Sequence, residues 1–136
     1  GASEAMSGPA NIFDLAARAM AAQSVRLNAA ASNLANAGSV AGSEAEAYRP
    51  LRPVFAEEVG RAESLRSVRV DAVRRSDAAP TRMHDPGHPL ADANGDVWLA
   101  PVDETAELVE LVEAARQYRN MVEALTTAKQ LMLETM

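Results

Sequence analysis

The residues best able to bind a metal ion lie in one short segment of the chain. His84 and His88 are four residues apart, and Asp85 and Asp92 lie close to them in sequence. Imidazole nitrogens and carboxylate oxygens are ligands that zinc and related divalent ions prefer. Prolines and a glycine are interleaved with them, so the spacing is not helical and the same residues are ordinary turn formers. We therefore predict a structural loop, without a metal ion or other cofactor, formed by Asp85, Pro86, Gly87, His88 and Pro89.

A second group of oxygen ligands follows the pattern of a calcium-binding loop only in part. Asp92, Asn94 and Asp96 alternate as the first three ligands of such a loop do. Gly95 lies between two of them instead of after the third, and the twelfth position is Asp103 instead of glutamate. Because Asn-Gly is a strong signal for a tight hairpin turn, the pattern favours a structural turn at Asn94 and Gly95.

Hydroxyl side chains offer little support for catalysis. Ser24, Ser32 and Thr127 have no glycine-flanked elbow and no histidine close in sequence, so we predict that the protein is not an enzyme. The absence of cysteine excludes disulfides and thiolate metal sites. A net charge of −6 disfavours binding to nucleic acid, and no apolar run is long enough to cross a membrane.

Apolar residues recur every seven positions at both ends of the chain, which predicts two long helices over residues 11–36 and 103–136. The first series is Phe13, Met20, Leu27 and Leu34. The second end carries two series, which are Leu108, Ala115 and Val122, and Leu111, Tyr118, Leu125 and Met132. At about 1.5 Å per residue such helices are too long to hide in a small globule. Their apolar stripes therefore need each other or other chains.

The region between the helices, residues 37–102, has the features of loops and strands. Pro50 and Pro53 enforce an extended arm or edge strand near residues 48–55. Residues 65–73 alternate, with Val68, Val70 and Ala72 on one face, as in a half-buried strand. We predict a mainly α fold in which the terminal helices pack as a coiled coil around a central β-hairpin and extended arm. Residues 1–10 are interpreted as a tag remnant and disordered N-terminus.

Three motifs resemble those of a known family. The Asn-Leu-Ala-Asn run at residues 33–36, after Ala-Gln-Ser-Val-Arg-Leu-Asn at 22–28, resembles the N-terminal signature of bacterial flagellar rod and hook proteins. The Asp-Pro-Gly-His-Pro-Leu-Ala-Asp run at 85–92 looks like that of the proximal-rod members, and residues 127–132 resemble their C-terminal helix. The resemblance spans most of residues 11–136.

The resemblance implies a structural subunit that polymerises with itself and with other rod subunits into a torque-transmitting shaft. It also implies secretion by the flagellar type III export apparatus without a cleaved signal peptide, and a place in the periplasmic rod. The terminal helices would then form the subunit interface, for which the candidates are Phe13, Met20, Leu27, Asn33, Leu34, Asn36, Leu108, Leu111, Ala115, Tyr118, Val122, Leu125 and Met132. Asn33 and Asn36 are also candidates for polar caps of the first helix, and for Asn36 the cap is the favoured interpretation.

Two other functions are compatible with the same residues. One is a cytosolic coiled-coil module whose C-terminal helix recruits a partner protein. The other is a metal-dependent enzyme built on His84 and His88. Charge and cysteine content do not separate these alternatives from the rod subunit.

Overall fold

Two long helices bracket five strands in the computed structural model, which describes residues 9–59 and 66–135, and the side chains of residues 12–56 and 70–135. In chain order the elements are α1 (Pro9–Ala35), β1 (Val40–Ala41), β2 (Leu51–Val59), β3 (Arg66–Arg75), β4 (Thr81–His84), β5 (Asp96–Leu99) and α2 (Glu104–Thr135). The prediction of a mainly helical chain with a small β region is confirmed. The first helix begins at Pro9, two residues before the predicted start, and residues 1–8 of the predicted N-terminal segment lie outside the described residues.

The two helices pack against each other in opposite directions. Arg26, in the second half of α1, contacts Glu110 near the start of α2, whereas Met20 lies beside Tyr118 and Leu125 further along α2. The deepest positions of α1 are small, and they are Ala22, Ala29, Ala30 and Asn33. Small side chains let neighbouring elements approach α1 closely, so the core of this protein is built around alanine instead of large aliphatic residues.

The packed face of α2 differs from the two predicted heptad series. Leu111, Tyr118 and Leu125 are half-buried, but Leu108 and Val122 are 53% and 42% exposed. The fully buried positions are Glu107 and Ala114, each one residue before a member of the predicted Leu108–Ala115–Val122 series. The two predicted series therefore do not combine into one seam within the chain, because α1 covers a face of α2 that is rotated away from Leu108.

The strands form two separate antiparallel sheets. One sheet has the order β1–β5–β4, and the other is the β2–β3 hairpin. Val54 lies opposite Ala72 and Phe55 opposite Val70, so Asp71 is the extra residue of a β-bulge. Val70 and Ala72 are half-buried and Asp71 is exposed, as the alternation predicts, whereas the side chain of Val68 lies outside the described ones. The predicted extended arm is thus the first strand of this hairpin.

The predicted tight hairpin at Asn94 and Gly95 is wrong in one respect. Strands β4 and β5 do pair, but residues 85–95 connect them, and Asn94 and Gly95 form only the last turn of that connection. Asp92 closes this turn, because its Oδ1 accepts hydrogen bonds from the N–H groups of Asn94 and Asp96, both at 2.9 Å. Gly95 has a φ of +77°, a conformation that favours glycine.

Candidate functional site

Helix α1, the β2–β3 hairpin and the start of α2 meet at Asn33, and we call this meeting point the junction. This side chain is fully buried, and its Oδ1 accepts hydrogen bonds from the Leu51 N–H at 2.8 Å and the Tyr48 hydroxyl at 2.7 Å. Its Nδ2 donates to the Leu51 carbonyl at 3.0 Å. The amide therefore pairs with the first residue of β2 much as a neighbouring strand would, and it fixes the hairpin to the helix.

The predicted place of Asn33 at a subunit interface stays a prediction, although this chain buries the side chain. Asn33 has no exposed surface, and both of its polar atoms are bonded inside the chain. Asn36 differs, because it is half-buried and its Nδ2 donates to the Ser32 carbonyl at 2.9 Å, as expected for a cap at the end of α1. The sequence motif identified the segment correctly, but only the fold shows which asparagine faces inward.

Tyr48 extends the junction toward the base of the hairpin. Its hydroxyl lies 3.0 Å from Ser32 Oγ, and the Arg75 guanidinium lies 5.2 Å from the centre of its ring. That distance is within the range of a cation–π contact. Arg75 Nη1 also donates to the Arg49 carbonyl at 2.9 Å, so the arginine is held in one place.

Two ion pairs join the start of α2 to the rest of the junction. Arg52 of β2 bonds Glu107 at 2.5 Å, and Arg26 of α1 bonds Glu110 at 2.5 Å. Glu107 is only 2% exposed, whereas the Arg52 side chain is half exposed. Because a buried carboxylate is costly without a partner, Arg52 is what makes the burial of Glu107 tolerable. A cavity of about 300 Å³ lies between these pairs, with Ala29, Ala106 and Phe55 among its walls.

The Arg26–Glu110 pair predicts a small dependence of stability on pH. The hydrogen bond from Arg26 lowers the pKa of Glu110 below its usual value, so the folded state binds that proton less readily than the unfolded state. The resulting stabilisation is present above the unfolded pKa and is lost as pH falls through the folded one. Since the Glu110 side chain is 43% exposed, we expect the loss of less than about 1 kcal/mol.

Urea unfolding of the wild type and of Glu110→Gln at neutral pH and at about pH 3 measures this effect. The wild type should lose more of its free energy of unfolding on acidification than the variant does. Equal losses would show that the ion pair does not contribute.

The histidines and aspartates of the predicted loop have local partners. His84 Nδ1 lies 3.0 Å from Asp96 Oδ1, and His88 Nδ1 accepts a hydrogen bond from the Leu90 N–H at 3.0 Å. Within the described residues, no three histidine, aspartate or glutamate side chains are close enough together to hold a metal ion. Asp85, Pro86, Gly87 and Pro89 complete the connection between β4 and β5, in which the Asp85 N–H donates to the Gly95 carbonyl.

An exposed aliphatic surface runs along α2 and is the second part of the candidate site. Its members, which we call the α2 stripe, are Leu108, Val112, Val122 and Leu133, which lie within about 80° of one another around the helix axis. Val109, Leu131 and the predicted Met132 are also exposed, on other sides of α2. Val112 and Leu133 were not predicted, although plotting α2 at about 100° per residue places both near Leu108. The α1 candidates Phe13, Met20, Leu27 and Leu34 are half-buried, as is Ala115 on α2. Neither helix, within the described residues, is apolar enough to cross a membrane.

A tight intrachain junction beside an uncovered aliphatic helix face is typical of a subunit that completes its packing in an assembly. Comparisons with known proteins identify that assembly. Residues 13–42 match the family described as "Flagella basal body rod protein". The chain is 45% identical over 126 residues to the flagellar basal-body rod protein FlgC of Salmonella typhimurium, covering 93% of this chain and 94% of the relative.

Two further relatives carry the same name. The FlgC of Yersinia enterocolitica is 46% identical over 127 residues, which cover 93% of this chain and 94% of the relative. The FlgC of Aquifex aeolicus is 35% identical over 127 residues, which cover 92% of each chain. At this identity and coverage the chain belongs to the FlgC family of flagellar basal-body rod proteins.

Proposed function

We propose that this chain is a structural subunit of the bacterial flagellar basal-body rod and has no enzymatic role. It polymerises with copies of itself and with other rod subunits into a helical shaft that transmits torque. The observation that carries this proposal is the α2 stripe, an aliphatic helix face left in solvent by a chain whose relatives are named as rod proteins. Fully burying one such side chain contributes about 1.5–3 kcal/mol, so a neighbour that covers the stripe gains substantially.

The last turns of α2 give the strongest indication that packing is completed by other chains. Residues 129–135 are all exposed, including Leu131 and Leu133, which are 57% and 64% exposed. An amphipathic helix derives most of its stability from tertiary packing, so these turns gain stability when a neighbour covers them. In the rod we expect coiled-coil contacts between chains, formed by the α2 stripe, by Ala115 and by the half-buried Leu111, Tyr118 and Leu125.

On the first helix the proposed contacts are Phe13, Met20, Leu27, Leu34 and Asn36, all of which are half-buried. The proposal includes secretion through the flagellar type III export apparatus without a cleaved signal peptide. It places the assembled protein in the periplasmic part of the basal body. The names of the relatives argue against the alternative of a cytosolic coiled-coil binding module.

Replacing Leu108 and Val122 by aspartate should block incorporation into rods while leaving the monomer folded. Both side chains are about half exposed, so the monomer should lose less than about 0.5 kcal/mol per change, whereas a charge in a dry interface costs several times more. Isolated basal bodies from cells that express only the variant, probed by immunoblotting, measure incorporation. Circular dichroism melts of the purified chains measure folding.

Asn120→Asp is the matched control, because Asn120 is also exposed on α2 but lies about 120° around the helix from Leu108. It should enter rods normally. Normal incorporation of the Leu108→Asp, Val122→Asp double variant would contradict the proposed role of the α2 stripe.

A further inference from the structure

Charge is distributed unevenly along the chain. Residues 49–75, which contain the β2–β3 hairpin, include seven arginines and four acidic residues, although the whole chain has a net charge of −6. The hairpin segment is therefore basic, and the remainder of the chain is strongly acidic. Such a separation allows the basic segment of one molecule to attract acidic residues of another.

Three arginines at the base of the hairpin have no carboxylate partner within the described part of the chain. Arg74 lies directly opposite Arg52 in the β2–β3 ladder, a like-charge pairing that destabilises a sheet. Arg52 is neutralised by Glu107, but the Arg74 side chain is exposed and makes no hydrogen bond or ion pair among the described residues. Arg75 is held against Tyr48, and Arg49 donates only to the Ala78 carbonyl at 3.4 Å. We call Arg49, Arg74 and Arg75 the basic collar.

Two glutamates between β1 and β2 have the opposite character. Glu44 and Glu46 are exposed, and neither pairs with a cation among the described residues. Their turn is well defined, because the Glu46 N–H donates to Ser43 Oγ at 3.3 Å and the following Ala47 is buried. Gly42, just before this turn, allows the backbone to lie close to the β4–β5 connection, since a Cβ there would lie only 3.0 Å from the Leu90 carbonyl oxygen. The two carboxylates are thus presented on an ordered turn.

We propose that the basic collar of one copy binds the Glu44–Glu46 turn of a second copy of this chain. The inference rests on the proposed rod function, because in a helical array each copy presents one face to a different face of the next. Both surfaces belong to the region of the chain between α1 and α2. Charge pairs of this kind contribute chiefly orientation and association rate, while the α2 stripe supplies most of the buried apolar area.

A charge-swap experiment tests the pairing. Arg74→Glu, and separately the double change Glu44→Arg with Glu46→Arg, should each lower incorporation into isolated basal bodies by about tenfold or more. The variant that carries all three changes should recover most of the loss. Arg82→Glu is the control for net charge, because Arg82 is an exposed arginine outside the collar and its 3.9 Å ion pair with Asp96 lies largely in solvent, where such pairs contribute little. It should leave incorporation unchanged.

The Arg74→Glu carboxylate could draw Arg52 away from Glu107 and so disturb folding. Arg74→Gln avoids this, because it removes the charge without placing a carboxylate beside Arg52. It should lower incorporation less than Arg74→Glu but more than Arg82→Glu. Failure of the combined variant to recover, or an equal loss with Arg82→Glu, would overturn the pairing. If the wild-type chain enters rods and both charge reversals do so equally well, the inference fails and the rod function stands. If the wild-type chain itself is absent from rods, the proposed function fails first.

Discussion

Replacement of Asn33 by alanine is expected to lower the free energy of unfolding by about 3 kcal/mol. The side chain is fully buried and satisfies the N–H and the carbonyl of Leu51 at the same time. Without it the Leu51 N–H loses its partner, and the Leu51 carbonyl keeps only a 3.4 Å contact from Arg52 Nη1. Each buried group left unpaired costs about 1–3 kcal/mol. The Tyr48 hydroxyl loses one of its two contacts as well.

Chemical denaturation and thermal melting of the purified chain measure this loss, which should appear as a fall of roughly 10 °C in Tm. Asn36→Ala is the control, since it removes the same side chain from the same helix but only one half-buried hydrogen bond, to the Ser32 carbonyl. It should cost less than about 1 kcal/mol. Equal losses for the two variants would show that the Asn33–Leu51 pairing does not hold the hairpin.

Replacement of Arg52 by alanine is expected to destabilise the chain by about 2–3 kcal/mol, because it leaves the Glu107 carboxylate buried without its cation. The expected loss lies below that of a fully buried pair, since Arg52 itself is half exposed. Replacement of Glu107 by glutamine in the Arg52→Ala background should recover part of the stability, because it removes the buried charge and keeps the side-chain volume. Near neutral pH the recovery should be about 1 kcal/mol or more.

A double-mutant cycle of Arg52→Ala and Glu107→Gln, with the free energy of unfolding measured in urea, gives the energy of the interaction between the two side chains. Arg119→Ala is a suitable control, because Arg119 is exposed on α2 and its removal should change the free energy of unfolding by less than about 0.5 kcal/mol. If Arg52→Ala is as mild as Arg119→Ala, then solvent and not Arg52 stabilises the Glu107 carboxylate.

The helices and their approximate ends were predictable from sequence, because apolar spacing and turn residues are local signals. The face of α2 that packs inside the chain was not. Glu107 takes a buried position that a hydrophobic pattern assigns to a leucine, and its burial depends on Arg52, which lies 55 residues earlier. Periodicity cannot detect a charge that is buried because of a distant partner.

The role of Asn33 was hidden for a similar reason. The Asn-Leu-Ala-Asn motif marks the end of α1, but the partner of Asn33 is the backbone of Leu51, and backbone groups leave no trace in a sequence. At the connection over residues 85–95 the local signal was visible, but the paired strand was not. Its turn residues were recognised, yet the strand β4 that precedes it is short and fully exposed, so it has no buried alternation to reveal it.

The three links at the junction have a mechanical consequence. Asn33 ties α1 to the hairpin, Arg52 ties the hairpin to α2, and Arg26 ties α2 back to α1. Because each of these three elements is linked to the other two, none can slide past another unless one of the links lengthens. Twisting the helix pair is therefore expected to strain a hydrogen bond or an ion pair at once. Within the described residues, the last turns of α2 make only local hydrogen bonds, so each subunit should be stiff near Asn33 and more compliant toward the end of α2.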